Sequence, residues 1–426
     1  MSKLLEVIGE LYDIKFGKKY IRKVQMDSRK VEKGDLFFAI NNGKNYIEEV
    51  LKKEASLVIC DDNKWKENSN VLIVENVVEA MQLIAREYRK NLKVKLIGVV
   101  GSNGKTTTKD ILYSIISSKY SSKKTEGNYN NHIGVPFTIL QIEEKDKYGI
   151  IEMGMSNFGE IKTLCKIAGL NYSIITNIGD SHLEFMLNRR NVFLEKSIVK
   201  NYVEEDKLLF FGDDPYLKSL KGKSIGFNDY NNYVISNYKL EENGILFKIN
   251  EKDYKVNLYG EHNCINSALS IEMAKMIGMT DEDVKKGLEN IEITPMRFQK
   301  ILKEKIIFIN DSYNASPVSM KYSLNTFEKL KTQKDKIVIL ADMGELGEKE
   351  MEFHIEIIQY ALRKKFFKII LYGDRMEKAL DKIENKDNII LFKNKSDIKN
   401  LINKEFKNKL ILIKGSNFNQ LWKIIE

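Results

Sequence analysis

The sequence lacks the features that mark disulfide-rich, membrane-spanning and linker-rich proteins. Among its 426 residues, Cys60, Cys165 and Cys264 are too few and too far apart for a disulfide framework or a zinc site. Only 4 residues are proline, which argues against proline-rich linkers. No apolar run approaches the ~18 residues of a membrane span, and acidic residues interrupt the first apolar stretch, which argues against a signal peptide. We therefore expect buried thiols in a reducing cytoplasm.

The composition is that of a chain with several packed domains. Apolar residues make up 43% and aromatic residues 10%, which excludes a disordered chain, and the length predicts roughly three domains. The net charge of +9 would suit nucleic acid or an anionic small substrate. The excess lysines are spread thinly, so a solvated lysine-rich surface is the simpler interpretation. We see no interleaving of aromatic and basic residues and expect no nucleic-acid partner.

Hydrophobic patterning divides the chain into three α/β regions. Residues 1–92 combine short apolar runs with a helical pattern at 79–90, which indicates a small α/β domain. Residues 93–295 alternate apolar runs with helical patterns, which predicts a central, mainly parallel sheet. Within this region, 225–260 alternates polar and apolar residues and predicts antiparallel strands with a turn at ENG. Residues 296–426 show a doubly wound pattern typical of a Rossmann-like domain, in which ligands collect at the carboxyl ends of strands.

The strongest local signal is GSNGKTTT, which follows an apolar strand and precedes a helical pattern at 105–120. Its glycines let the backbone turn tightly, its lysine can meet phosphates, and Thr106 or Thr107 can offer a hydroxyl to Mg²⁺. Val99 stands where the full phosphate-loop pattern has its first glycine, and a plain glycine-rich turn is the alternative. The residues predicted to bind nucleotide here are Gly101, Ser102, Asn103, Gly104, Lys105, Thr106 and Thr107.

Two strand ends of the central region carry possible metal ligands. His182 follows a strand in TNIGDSHLEF, and Glu152 follows another in IIEMGM, so the two could bind a second Mg²⁺. A lone histidine is more often structural, and Mg²⁺ prefers oxygen ligands, so the histidine alone is a weak argument. Asp311 in DSYNASP and the segment Asp27-Ser28-Arg29 could be no more than a turn and a cap.

Together, the spaced motifs resemble the Mur ligase family of cell-wall enzymes. The resemblance runs from MDSRKVEKGDLFFAI at 26–40 to LIKGS at 412–416, nearly the whole chain. The motifs between these ends are GSNGKTTT, EGNYNNHIGVP, EMGM, TNIGDSHLE, GEHNCINSAL, NDSYNASP and DMGELG. The family implies an N-terminal domain that binds the UDP substrate, a central phosphate-loop domain that binds ATP, and a C-terminal Rossmann-like domain that binds a dipeptide.

The resemblance implies an ATP-dependent amide ligation with Mg²⁺ in a cytoplasmic monomer. A substrate carboxylate attacks the γ-phosphate of ATP, and an amine then displaces phosphate from the resulting acyl phosphate. EGNYNNHIGVP with DSYNASP and DMGELG implies that D-alanyl-D-alanine is added to UDP-N-acetylmuramoyl-tripeptide in peptidoglycan precursor synthesis. Such a reaction depends on positioning and charge neutralisation more than on a side-chain nucleophile.

The resemblance also assigns roles to residues at matching positions. Lys196 matches a lysine that CO₂ carbamylates to make a magnesium ligand, although spacing alone favours a surface helix lysine. Asn263 and Asn266, on one face of a helix at about 262–277, match residues near the adenine. The implied catalytic residues are Lys105, His182, Lys196 and Arg297. The implied metal ligands are Thr106, Glu152, His182 and Lys196. The further implied ATP contacts are Arg297 at the phosphates and Asp311 at the ribose. The implied substrate contacts are Ser28 and Arg29 for the uridine nucleotide, Asn130 and Asn131 for the muramoyl peptide, and Asn314, Ser316 and Lys414 for the dipeptide.

Three alternatives remain open from the sequence. A sibling ligase would add a single amino acid or glutamate. A phosphate-loop NTPase that binds nucleic acid would show salt-sensitive affinity for DNA or RNA. A nucleotide-binding regulator would bind ATP without substrate-dependent phosphate release.

Overall fold

The computed structural model describes residues 2–17 and 19–426 and contains strands and helices throughout. The strands are β1 (Val24–Gln25), β2 (Leu36–Phe38), β3 (Leu57–Cys60), β4 (Val71–Ile73), β5 (Lys95–Val100), β6 (Ser122–Lys124), β7 (Tyr148–Glu152), β8 (Tyr172–Ile175), β9 (Leu208–Phe211), β10 (Lys223–Gly226), β11 (Tyr233–Glu241), β12 (Gly244–Ile249), β13 (Lys252–Val256), β14 (Gln299–Lys303), β15 (Ile306–Asn310), β16 (Lys336–Ala341), β17 (Lys368–Tyr372), β18 (Ile389–Phe392) and β19 (Leu410–Lys414). The α-helices are α1 (Ser2–Tyr12), α2 (Ile47–Lys52), α3 (Val77–Lys90), α4 (Lys105–Ser117), α5 (Gly134–Leu140), α6 (Glu160–Ala168), α7 (Leu183–Met186), α8 (Arg189–Lys196), α9 (Glu261–Met276), α10 (Asp281–Glu289), α11 (Pro317–Lys329), α12 (Glu350–Leu362), α13 (Asp374–Leu380) and α14 (Lys395–Glu405).

The chain divides into two compact units. The first unit comprises the chain up to Val100, Lys119–Ile174 and Ile198–Leu208, and the second comprises Gly101–Ser118, Ile175–Ser197 and Leu209–Glu426. The first unit contains a parallel sheet in the order β1-β2-β3-β4 and the strand order β8-β5-β7-β6. Helix α3 starts where the Asn76 side chain accepts hydrogen bonds from the backbone N–H groups of Val78 and Glu79. The helix predicted at 79–90 is confirmed.

The second unit contains the predicted antiparallel strands. Strands β11, β12 and β13 pair antiparallel, and Glu241 and Gly244 face each other across the predicted ENG turn. The prediction of antiparallel pairing from residue 225 onward is wrong for β10, which pairs in parallel with both β9 and β11. Strand β10 ends at Gly226. Whether it pairs in parallel or antiparallel depends on the direction in which the chain runs through the neighbouring strands, and the short sequence of β10 does not encode that direction.

The C-terminal sheet has the order β14-β15-β19-β16-β17-β18, parallel except for the antiparallel edge strand β14. Alternate residues of its strands enter two different cores. In β16, Val338 and Leu340 pack on one face, whereas Ile337 and Ile339 pack on the other. Burial on both faces explains why these strands read as continuous apolar runs, and it leaves polar residues only at the strand ends.

Candidate active site

The phosphate loop connects β5 to α4 and requires glycine at both of its turns. Gly101 has φ 147° and Gly104 has φ 82°. A β-carbon on Gly101 would overlap the Thr176 hydroxyl, and one on Gly104 would overlap the Asn266 side-chain oxygen. The loop backbone is therefore closely surrounded by side chains, and only glycine fits at either position.

The segment TNIG after β8 supports the loop from outside. Ser102 N–H donates to the Asn177 carbonyl at 2.9 Å, and Asn103 N–H donates to Asn177 Oδ1 at 3.0 Å. Thr176 Oγ1 donates to the Asn103 carbonyl at 2.6 Å. No role was predicted for Thr176 or Asn177, although their position directly after a buried strand could have indicated one.

A cation and a helix N-terminus converge at this loop. Lys105 Nζ donates to the Gly101 carbonyl at 2.9 Å, so its ammonium group lies over the loop. Helix α4 begins at Lys105 with no side-chain cap on its first N–H groups. These N–H groups and the helix dipole favour an anion. The loop therefore has the backbone and the charge of a phosphate-binding site.

Arg297 meets the start of the same helix. Its Nη2 donates to Thr106 Oγ1 at 2.8 Å, and its guanidinium carbon lies 4.1 Å from the ring centre of Tyr313. Among the described residues, Arg297 Nε and Asn103 Nδ2 are buried N–H donors without a hydrogen-bond partner. A buried donor without a partner costs free energy, so these groups fit a site that an oxygen-rich ligand completes.

Lys196 is fully buried at the end of α8. Its side chain is 0% exposed, and its Nζ has no hydrogen-bond partner within residues 2–17 and 19–426. Burial lowers the pKa of this ammonium group well below its usual range, and the charge of Lys105 lowers it further. The alternative of a surface lysine is therefore wrong. A neutral amine is the form that reacts with CO₂, so this environment suits carbamylation.

His182 lies in the loop before α7, next to a carboxylate. His182 Nδ1 is 2.6 Å from Glu345 Oε2 of the DMGELG segment. Burial lowers the pKa of the His182 imidazole, and the neighbouring Glu345 carboxylate opposes that shift. No role was predicted for Glu345, although its motif follows the end of β16. By contrast, His354 is a structural histidine, since its Nε2 accepts the Met343 N–H at 3.0 Å.

In the first unit, the segment EGNYNNHIGVP folds against the end of β7. Asn130 Nδ2 donates to Glu152 Oε1 at 2.8 Å, and Glu152 is only 2% exposed. The Asn131 side chain accepts the N–H of Gly134 at 2.9 Å, so it fixes the start of α5. The structure thus brings Asn130 and Glu152 together and gives Asn131 a backbone role.

Asn263 and Asn266 lie on one face of α9, as predicted. Asn266 Nδ2 donates to Asn263 Oδ1 at 3.2 Å, and both side chains are buried. Asn263 Nδ2 donates to the Tyr259 carbonyl at 2.9 Å. Because Asn266 lies against Gly104, the pair adjoins the phosphate loop.

The predicted C-terminal ligands form an internal network. Lys414 Nζ lies 2.7 Å from Asp311 Oδ2 and 3.2 Å from the Asn314 carbonyl, and Lys414 is only 2% exposed. Asp311 also accepts the Phe298 N–H and the Ser323 hydroxyl. Lys414 therefore fixes the NDSYNASP loop, and the structure brings Asp311, Asn314 and Lys414 together.

Ser316 links that loop to the phosphate loop. Its hydroxyl caps α11 by accepting the Ser319 N–H, and it lies 3.0 Å from Asn103 Oδ1. Ser28 and Arg29 lie in the first unit, where Asp27 caps a short helical turn and pairs with Arg29. The predicted cap at Asp27-Ser28-Arg29 is therefore present, and the Arg29 side chain is 86% exposed.

The chemistry of the predicted metal donors fits Mg²⁺. Within the described ranges, no group of three or more His, Cys, Asp or Glu side chains could hold a metal. The predicted donors are instead a hydroxyl at Thr106, a carboxylate at Glu152, an imidazole at His182 and, after carbamylation, two oxygens at Lys196. This mostly oxygen set matches the preference of Mg²⁺. No helix of the described residues is both long and apolar enough to cross a membrane.

Comparison with known proteins places this phosphate-binding α/β chain in a family. The model of the Mur ligase middle domain matches residues 99–274, and that of the Mur ligase glutamate ligase domain matches residues 296–417. A UDP-N-acetylmuramoyl-tripeptide–D-alanyl-D-alanine ligase of Bacillus subtilis is 33% identical over 99% of this chain and 96% of its own. A namesake from Borreliella burgdorferi is 28% identical over 100% of this chain and 97% of its own. The chain belongs to the Mur ligase family.

Solved structures agree with this assignment. MurF from Acinetobacter baumannii covers 100% of this chain and 97% of its own at a TM-score of 0.87 and 24% identity. MurF ligase from Thermotoga maritima in complex with ADP covers 96% of this chain and 97% of its own at a TM-score of 0.83 and 26% identity. The predicted three-domain α/β fold is confirmed, while the boundaries 1–92, 93–295 and 296–426 stay a prediction.

Proposed function

We propose that this chain is an ATP-dependent ligase that joins D-alanyl-D-alanine to UDP-N-acetylmuramoyl-tripeptide through an acyl phosphate. One structural observation carries the proposal: two partly buried cations and buried, unpartnered N–H donors surround a glycine loop at a helix N-terminus. Lys105, Arg297 and Asn103 supply these groups. They match the charge of a transferring phosphoryl group, and the relatives, which are UDP-N-acetylmuramoyl-tripeptide–D-alanyl-D-alanine ligases, indicate the amine and the acceptor.

The reaction runs in two steps. The terminal carboxylate of the tripeptide attacks the γ-phosphorus of ATP, ADP leaves, and an acyl phosphate forms. The amine of D-alanyl-D-alanine attacks the acyl carbon, phosphate leaves, and the nitrogen loses a proton as the amide forms. Phosphoryl transfer of this kind depends on positioning and charge neutralisation. The ammonium of Lys105 and the guanidinium of Arg297 are suited to both.

Mg²⁺, when bound, would neutralise negative charge on the phosphates. We assign its ligands to Thr106, Glu152, His182 and a carbamylated Lys196. The buried, unpartnered amine of Lys196 supports this assignment. Carbamylation would give this side chain oxygen atoms that can bind a metal. Asn263 and Asn266, beside the phosphate loop, are assigned to the adenine and Asp311 to the ribose.

The substrate contacts follow the three proposed domains. Ser28 and Arg29 of the domain at 1–92 are assigned to the uridine nucleotide, and Asn130 and Asn131 of the domain at 93–295 to the muramoyl peptide. The dipeptide residues of the domain at 296–426 are Asn314, Ser316 and Lys414. Since Lys414 is buried against Asp311, its part is to shape the loop that meets the dipeptide. We further propose a cytoplasmic monomer, in keeping with three buried free thiols.

The amine decides between this ligase and its siblings. The chain is incubated with ATP, Mg²⁺ and UDP-N-acetylmuramoyl-tripeptide, and phosphate release is measured with D-alanyl-D-alanine, D-alanine, L-lysine or L-glutamate added separately. We expect release that depends on D-alanyl-D-alanine, with an amide product of matching mass. Release with another amine would identify a sibling ligase, and ATP binding without release would indicate a regulator.

A further inference from the structure

The DMGELG loop is docked on the loop that carries His182. Besides the contact between His182 Nδ1 and Glu345 Oε2 at 2.6 Å, the Glu345 carbonyl accepts the Glu184 N–H at 3.4 Å. Gly347 lies so close that a β-carbon there would be 3.2 Å from the Glu184 Cα. Backbone and side-chain contacts thus hold the two loops together where Glu345 and Gly347 meet His182 and Glu184.

Both residues of the central contact have an unusual backbone. His182 has φ 57° and Glu345 has φ 61°, in the left-handed region that non-glycine residues rarely adopt. Such conformations persist only where surrounding contacts fix them. The contact therefore joins two backbone positions that are each held in a disfavoured conformation.

The carboxylate determines which nitrogen of the imidazole carries the proton. A neutral imidazole has one donor and one acceptor nitrogen. A carboxylate oxygen 2.6 Å from Nδ1 favours the proton on that nitrogen, which leaves the Nε2 lone pair available to a metal. Lys105, another charged group near His182, is a cation and gives no acceptor that would compete for this proton, and a carbamylated Lys196 would be a metal ligand beside His182.

We propose that Glu345 is a positioning residue that holds His182 with its proton on Nδ1 and its Nε2 free for Mg²⁺. This inference rests on the proposed function for the identity of the metal. Because Glu345 belongs to the proposed dipeptide domain, the contact makes the geometry of a metal ligand depend on the placement of that domain. An exposed ion pair of no further consequence is the competing explanation, since Glu345 is 52% exposed.

Nitrogen NMR on the full chain labelled with ¹⁵N-histidine tests the tautomer directly. The chain has only 4 histidines, and H182N identifies the signals of His182. We expect Nδ1–H in the parent and a shift toward Nε2–H in E345A. E345Q keeps an acceptor oxygen and should restore Nδ1–H. E348A removes an exposed glutamate from the helical turn Gly347–Lys349 just after the loop and should change nothing.

Titration with Mn²⁺ in the presence of ADP tests the link to the metal without turnover. Paramagnetic broadening of the His182 signals should require a Mn²⁺ concentration roughly 10-fold higher or more in E345A than in the parent or E348A, the usual effect of losing a partner of a metal-bound histidine. Nε2–H in the parent, an unchanged tautomer in E345A, or equal broadening in all variants would each overturn the inference. Dipeptide-dependent phosphate release tests the proposed function separately.

Discussion

At the scale of the residue, Lys196 is the side chain whose environment is hardest to explain without a modification. A lysine that is 0% exposed, without a hydrogen-bond partner in the described chain and with Lys105 as a second cation nearby, is costly to bury as an ammonium ion. The lowered pKa makes the neutral amine available nearer to neutral pH than for an ordinary lysine. Since the neutral amine attacks CO₂, we expect a carbamate to form under ordinary assay conditions.

The carbamate can be observed and its role measured. After equilibration with ¹³C-bicarbonate, the parent should show a carbamate carbon signal that K196M lacks. Ligation by K196M should fall by about 100-fold or more, because losing even an outer partner of a metal ligand costs ~10–100-fold. K200M, which changes an exposed lysine one turn further on, should keep both signal and activity. Full activity of K196M would remove Lys196 from the metal site.

At the scale of the element, the turn from β5 into α4 can be tested against a second helix start of nearly the same geometry. Gly104 and Gly159 precede α4 and α6 with φ 82° and 84°. A β-carbon on Gly159 meets nothing within 4 Å, whereas one on Gly104 overlaps Asn266. G159A therefore isolates the cost of backbone strain, and G104A adds a steric clash at the phosphate loop.

We expect G159A to lower the free energy of unfolding by about 1 kcal/mol and to leave ATP affinity unchanged. G104A should lower it further and weaken ATP binding by about 10-fold or more, because Asn266 and the loop must move apart. Urea unfolding and calorimetric titration with ATP measure the two effects. Equal ATP affinity in both variants would mean that the loop is not the nucleotide site.

Some of these elements and contacts could be predicted from the sequence, and others could not. Buried parallel strands such as β16 are predictable because both of their faces are apolar, and GSNGKTTT carries its own geometry. The edge strand β14 (QKILK) was not predicted, because pairing on one side only leaves polar residues within it. The burial of Lys196 and the contact between His182 and Glu345 depend on distant segments meeting in space, so no local pattern encodes them.

At the scale of the whole molecule, the contact between Ser316 and Asn103 joins the loop proposed to meet the dipeptide to the loop proposed to bind ATP. Ser316 has two roles, since it also caps α11, and Thr280 caps α10 with the same reciprocal pattern. Both S316A and T280A should therefore lose about 1 kcal/mol of stability. Only S316A removes a contact with the phosphate loop, so only S316A should raise the KM for ATP and for D-alanyl-D-alanine together in steady-state phosphate release. If T280A raised both KM values as much as S316A does, the effect would come from lost stability. If S316A left both unchanged, communication between the two loops would have to run through Arg297 and Thr106 instead.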